Sequence, residues 1–409
     1  MSDFDNLQSV QGVSLVSLTE QHGTPLYVYD GQVIRRQVST LKTVFEGVDL
    51  RIKFACKANT NLAVLKLMRE QGVGLDVVSL QEFQLAQLAG YSAQEVTFTP
   101  SGADFEEVAA ALEAGLTLTV DSLPLLEWFG QQFGDTKPCM IRIKPNVAAG
   151  GNAKIMTAHS GSKFGISVLL IDQILEVVDR YGIRIVGLHQ HTGSDIKEAE
   201  PFLKVAEVVF GVASRFPHLE IIDLGGGFKV SYKPGDPETD MEALGAKISK
   251  RFQEFCDAYG RKLTLWVEPG KFLVSESGLL LVKTTVVKHD PAKTFVHVDS
   301  GLNHLIRPMM YNSYHHIQNV SNPEGDLKTY NIVGYICETD NFAEDRELPE
   351  VRQGDVLVLR NAGAYGFSMS SNYNARFRPA EVLIDGGEAR LVRRRETLDD
   401  LIATQTGLK

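Results

Sequence analysis

Across the first two-thirds of the chain, short β-prone apolar runs alternate with longer stretches whose apolar residues recur at helical spacing, and glycine-bearing turns separate them. Eight runs read as strands: 51–56, 74–78, 96–99, 116–120, 140–144, 185–189, 220–224 and 263–267. Between them, stripes such as Phe105, Val108, Ala109 and Leu112, or Phe202, Val205, Val209 and Val212, mark the inward faces of covering helices. Seven helices fall between the eight strands, and a further helix from 31 to about 45 precedes the first strand. This order predicts an α/β fold, a (β/α)8 TIM-like barrel that begins with a helix.

From about Leu279 the texture changes to short alternating runs, among them 281–287, 294–298, 356–360 and 380–384, with Gly, Asp and Asn turns between them. That texture predicts a C-terminal β-sandwich or small β-barrel domain. The β-prone stretch 25–29 precedes the first helix and is expected to join it. The expected division is a barrel over 31–278 and a β domain built from 1–30 and 279–409. A length of 409 residues agrees, because a barrel of about 250 residues leaves enough chain for a second core. The Gly-rich insert 145–164 is longer than an ordinary βα connection and is expected to be functional.

Charge and composition remove several classes. With 41 basic and 51 acidic residues the net charge is −10, and no Lys/Arg run is dense enough to track a phosphate backbone, so nucleic acid is not an expected partner. No run of about 18 apolar residues occurs and the first 15 residues lack a signal-peptide pattern, so a soluble cytoplasmic protein away from membranes is expected. Cys56, Cys139, Cys256 and Cys337 form no CxxC pair, which argues against a disulfide framework or a metal site; a buried inert thiol is the first reading of each.

In such a barrel the active site gathers at the C-terminal ends of the strands. Lys57 ends the first predicted strand, Asp76 lies in the second, Arg142 in the fifth, His191 follows the sixth, Gly225, Gly226 and Gly227 follow the seventh, and Glu268 ends the eighth. Singly these are weak signals: a strand-end lysine is usually a solvated cap and a glycine run a flexible turn. Three glycines also let backbone N–H groups approach a phosphate without Cβ hindrance, and Ser194 could add a hydroxyl to the same anion. One amine, one phosphate cradle, one imidazole and one carboxylate at a single mouth are what pyridoxal 5'-phosphate requires. The lysine forms an imine with it, and an anionic Glu268 would keep the pyridine nitrogen protonated.

The segments Phe-Ala-Cys-Lys-Ala-Asn (54–59), His-Thr-Gly-Ser (191–194), Gly-Gly-Gly-Phe (225–228), Glu-Pro-Gly-Lys (268–271), Leu-Ile-Arg-Pro (305–308), Cys-Glu (337–338) and Gly-Ala-Tyr (363–365) resemble, in this order and spacing, the fold-type III pyridoxal-phosphate-dependent decarboxylases. The resemblance implies Lys57 as the cofactor-bearing lysine, His191 stacked on the ring, Ser194 and the glycines on phosphate, and Glu268 at the pyridine nitrogen. It further implies a homodimer with shared active sites, in which Cys337 reaches the partner's barrel as proton donor and Tyr365 lies near cofactor and substrate. Arg307, Tyr311 and Glu338 would bind the distal end of an amino-acid substrate. The expected activity is decarboxylation of meso-2,6-diaminopimelate to L-lysine. A decarboxylase of ornithine, lysine or a related polyamine precursor is the alternative within the class, and a catalytically silent regulatory homologue the alternative outside it.

Two departures from the family pattern stand out. Lys271 occupies the place of an arginine, exchanging a bidentate fork for a point charge on phosphate or carboxylate. The usual Cys-Glu-Ser-Gly-Asp is here Cys337-Glu338-Thr339-Asp340-Asn341, which keeps the thiol and the acid but alters the loop beside them.

Overall fold

The structure, a computed structural model, describes residues 7–147 and 161–407. It divides into two compact units, one formed by Arg36–Val230 with Pro237–Phe272, the other by Met1–Arg35 with Ser231–Asp236 and Leu273–Lys409.

The first unit is an eight-stranded parallel barrel. Its strands are Leu50–Ala55, Gly74–Val77, Val96–Phe98, Thr117–Val120, Pro138–Lys144, Arg184–His189, Ile221–Asp223 and Thr264–Val267. Each pairs with the next, and the eighth returns to the first through Leu265↔Leu50 and Val267↔Ile52, so no edge is left open. All eight fall on the runs expected from the sequence. The seven intervening helices are present, preceded by the helix Gly31–Val44.

Short polar residues at the strand-to-helix turns start several of these helices. Asn61 accepts from Ala63 N at 2.9 Å, Ser79 from Glu82 N at 3.2 Å, Asp104 from Glu107 N at 2.8 Å and Asp240 from Ala243 N at 2.9 Å. Each satisfies a first-turn N–H that the helix itself cannot. The helix faces follow the expected stripes with three corrections. Val108 and Leu112 are buried, but Ala111 shares the inner face instead of Ala109, and Phe105 is 42% exposed. Phe105 is the first helical residue, directly after the Asp104 cap, and stacks on Trp128 of the following helix with ring centroids 4.9 Å apart. Phe202, Val205 and Val209 are buried as expected, while Val212 is only half-buried and Phe210 takes an inner position against Phe255. The last helix, Met241–Tyr259, approaches Val44 so closely that a Cβ on Gly245 would overlap the Val44 carbonyl, which brings the first and last helices of the ring together.

The other unit is a β structure organised on the twelve-residue strand Gly278–His289. Its first half pairs with Leu26–Asp30 on one side and Val356–Leu359 on the other, and its second half with Thr294–Val298. Leu26–Asp30 lies between Gly278–His289 and Ala380–Asp385. Period-two alternation selects its core, since Leu26 and Val28, Leu279 and Leu281, Val356 and Val358, and Val382 and Ile384 all face one cluster closed by Leu15 and Leu18 of the helix Leu15–His22. Each such side chain contributes roughly 1.5–3 kcal/mol by leaving water. No helix among the described residues is long and apolar enough to cross a membrane. The long insert expected to be functional falls largely on 148–160, outside the described residues.

Candidate active site

The barrel residues singled out from the sequence converge at the C-terminal ends of the strands. Lys57 sits in the single 3-10 turn Cys56–Ala58 directly after the first strand, half-exposed, with Nζ 3.7 Å from Oδ2 of the buried Asp76. Arg142 is buried on the fifth strand with its guanidinium over the Phe164 ring.

The loops after strands six, seven and eight run side by side. Gln190 N donates to Asp223 O at 2.9 Å, Glu268 N donates to Gly225 O at 2.7 Å, and Ala55 N donates to Pro269 O at 3.3 Å, which ties the eighth loop back to the first strand. The glycine run is demanded by this packing. A Cβ on Gly225 would meet Gln190 O, one on Gly226 Glu268 O, and one on Gly227 Gly193 O, while Gly225 and Gly227 also have φ of +67° and +109°. Gly225 N–H is directed to Asp223 Oδ1 at 2.8 Å and Gly226 N–H to His191 Nδ1 at 3.2 Å, so these two groups serve partners within the protein. Ser194 is half-buried on the loop that abuts Gly227.

Glu268 and His189 were not paired by the sequence reading. Both are buried, with His189 Nε2 2.9 Å from Glu268 Oε2, while Glu268 Oε1 and His189 Nδ1 have no partner among the described residues. His189 is the last residue of the sixth strand, two before His191; a histidine ending a buried strand was the available signal. Lys271 is also buried and forms a 2.5 Å ion pair with Asp195 Oδ1, on the loop just after Ser194.

The electrostatics of this mouth are polarised. Burial pushes the Asp76 carboxyl up to about 8, with the nearby Glu268 adding to the rise, and burial followed by Glu268 also raises Asp223. Glu268, which burial alone would raise, is held below the usual carboxylate range by the hydrogen bond to His189, with the positive Lys57 assisting. Burial drives both imidazoles toward the neutral form, His191 down to about 3 with the positive Arg142 and Lys57 assisting. Glu268 is the carboxylate that carries the negative charge.

In the β unit, Cys337 is exposed, not the buried inert thiol of the first reading, and Cys256 is half-buried; Cys56 and Cys139 are buried. Cys337 Sγ lies 3.6 Å from Glu338 Oε2 and 3.9 Å from the Tyr373 hydroxyl, and accepts from Asn374 Nδ2 at 3.5 Å. Tyr373 and Asn374, more than thirty residues on, were missed because only loop geometry brings them to the thiol. Arg307 opens the short helix Arg307–Tyr311 and is buried. Its Nη2 meets two neutral hydroxyls, Tyr232 at 3.2 Å and Ser313 at 3.4 Å, and its Nε has no partner among the described residues. Tyr311 is half-buried at the end of that helix, and Tyr365 is half-buried with a left-handed φ of +55°.

The barrel donors fit pyridoxal phosphate. A half-exposed lysine stands at the mouth beside Asp76, and the ionised Glu268 has one buried oxygen without a hydrogen-bond partner among the described residues, as a protonated pyridine nitrogen requires. Residues 31–275 match the family model described as pyridoxal-dependent decarboxylase, pyridoxal binding domain. The chain belongs to the pyridoxal-dependent decarboxylases and is a carboxy-lyase with pyridoxal phosphate as its cofactor. It is 37% identical over 406 residues to the diaminopimelate decarboxylase of Methanothermobacter thermautotrophicus, covering 97% of this chain and 95% of that one. A solved diaminopimelate decarboxylase superposes with TM-score 0.90 at 36% identity, covering 97% of this chain and 96% of that one. The Helicobacter pylori diaminopimelate decarboxylase complexed with L-lysine superposes with TM-score 0.87 at 31% identity, covering 95% and 98%.

Proposed function

We propose that this chain decarboxylates meso-2,6-diaminopimelate to L-lysine, the last step of lysine biosynthesis, as a cytoplasmic homodimer whose active sites are shared between subunits. The cofactor, when bound, supplies an electron sink for the pair released as the α-carboxylate departs. Lys57 would carry it, Ser194 and Gly225–Gly227 would hold its phosphate, His191 would stack on its ring, and Asp76 would orient the lysine amine. Glu268 holds the proton at the pyridine nitrogen. Cys337 of the partner subunit delivers a proton to the α-carbon once carbon dioxide has left, and Tyr365 lies beside it. Lys271, already neutralised by Asp195, acts on the phosphate through the Ser194 loop.

The observation that carries the substrate assignment is Arg307. A buried guanidinium whose hydrogen-bond partners among the described residues are neutral hydroxyls, over the Tyr232 ring and with Nε unpartnered there, is costly unless an anion arrives. A distal carboxylate supplies that anion, with Tyr311 beside it and Glu338 of the partner subunit, next to Cys337, on the distal ammonium. An enzyme making a simple diamine from ornithine or lysine needs only an anion at that end, and Arg307 would work against it. Carbon dioxide release from a panel of meso-diaminopimelate, lysine and ornithine tests the proposal. Release from the first alone is expected; turnover of ornithine or lysine with diaminopimelate inert would reassign the enzyme, and release from none would favour a silent homologue.

A further inference from the structure

His189 has no role in the reading above, yet it occupies a demanding position. It is fully buried at the end of the sixth strand, and its Nε2 lies 2.9 Å from Glu268 Oε2. The opposite ring nitrogen, Nδ1, is buried without a partner among the described residues. Those facts fix the tautomer. A proton on Nδ1 would be a buried donor with no acceptor, whereas a proton on Nε2 satisfies a carboxylate oxygen, so the ring is neutral and donates from Nε2.

The same bond fixes Glu268. A buried carboxylate has two oxygens to satisfy; His189 takes Oε2 and sets the plane of the group, which leaves Oε1 as its open acceptor. Without His189, Oε2 of a buried anion would lose its donor, and Glu268 would take up a proton or turn toward the Asp223 carboxyl, with which it also hydrogen-bonds. Asp223 and Asp76 crowd the same space and would favour that protonation.

We propose that His189 is a positioning residue: its Nε2–H fixes one oxygen of Glu268 and so presents the other, ionised, to the ring nitrogen of the cofactor. This rests on the assignment of Glu268 to that nitrogen. His189, Asp223 and Glu268 also place ligand atoms within 4.8 Å of one another, a spacing that a divalent cation could bridge. A cation would take the Nε2 lone pair and displace its N–H from Glu268, so the two readings exclude each other.

Holoenzyme reconstituted with pyridoxal phosphate labelled with nitrogen-15 in the ring reports protonation of that nitrogen by NMR, whatever the activity. Wild type is expected to show the protonated nitrogen, and Glu268→Gln the neutral one. His189→Leu is expected to shift the signal toward neutral and to lower kcat on the order of 10–100-fold with KM little changed, whereas His189→Gln, which keeps an N–H donor, restores most of both. Wild-type enzyme labelled in its histidines supplies a measurement that does not depend on a variant folding: His189 should appear as the neutral Nε2–H form. An unchanged ring nitrogen in Glu268→Gln would remove the assignment of Glu268. A changed signal there with an unchanged one in His189→Leu would overturn the role of His189 alone. An Nδ1–H or doubly protonated His189, or a stoichiometric divalent ion whose chelation alters the ring signal, would overturn it equally.

Discussion

The Tyr373 hydroxyl donates a 2.6 Å hydrogen bond to Glu338 Oε1, and Glu338 Oε2 lies 3.6 Å from Cys337 Sγ, so one carboxylate links the proposed proton donor to a tyrosine that the sequence motifs do not contain. The Tyr373 bond is the main reason the Glu338 carboxyl stands below its usual range. Tyr373→Phe removes one hydrogen bond to a charged group and leaves the exposed fold around it intact. Steady-state kinetics should show kcat lower by about tenfold with an unchanged melting temperature. A kcat equal to wild type would mean that Tyr373 does not tune the thiol and its carboxylate.

Lys57 stands at the end of a barrel strand with its amine 3.7 Å from Asp76, and it is the lysine proposed to carry the cofactor. Borohydride reduction of the holoenzyme followed by peptide mapping should place the pyridoxyl group on Lys57, and Lys57→Ala should show neither the label nor turnover. A label on Lys53 or Lys271 would move the site within the barrel.

Much of this was legible in the sequence, for a physical reason. Barrel strands are covered on both faces and read as compact apolar runs between turns, so all eight emerged from pattern alone. The residues at their ends then followed from the geometry of the fold. Pairings set by loop paths did not emerge. Lys271 meets Asp195 across 76 residues, and nothing in the local pattern of either predicts it. His189 ends a buried strand, a signal that without sight of Glu268 does not separate it from an ordinary core histidine. Phe105 fits a helical stripe in period, but sits at the first turn, where the stripe runs past the edge of the core.

A pH prediction follows from His304 in the β unit. Its Nε2 lies 3.0 Å from Phe377 O and its Nδ1 3.2 Å from Ser300 Oγ, an arrangement that suits the neutral ring, and burial pushes it down to about 4. The unfolded chain takes up the proton near pH 6.5 while the folded chain resists it to about 4. The unfolded state therefore binds more protons in that window, and the histidine's contribution to stability is present above pH 6.5 and lost as pH falls toward 4. Asp76 and Asp223, raised by burial, act in the opposite direction over part of this range, so a single curve mixes the signs. Comparison with His304→Gln cancels them. Urea melts should show the stability of wild type relative to this variant falling by about 2 kcal/mol between pH 7 and pH 5. A constant difference would mean that His304 takes up its proton equally in both states.

The last prediction tests whether the active site is shared. Cys337 is exposed in the β unit, where a thiol built only to fill a core would not be placed, and its neighbours Glu338, Tyr373 and Asn374 supply polar partners. A single chain does not require that cluster for its own packing, whereas a partner's barrel would gain a proton donor from it. If each site combines Lys57 of one subunit with Cys337 of the other, Lys57→Ala and Cys337→Ala homodimers are both inactive. Their heterodimer, however, gathers both defects into one site and leaves the other intact. Random subunit exchange makes about half of all dimers mixed, each with one working site of two, so activity should recover to about a quarter of wild type. Exchange is verified independently by mass spectrometry of differently tagged chains. Proven exchange without recovery would place Lys57 and Cys337 in the same subunit's site, because each mixed dimer would then carry one defect in each of its two sites.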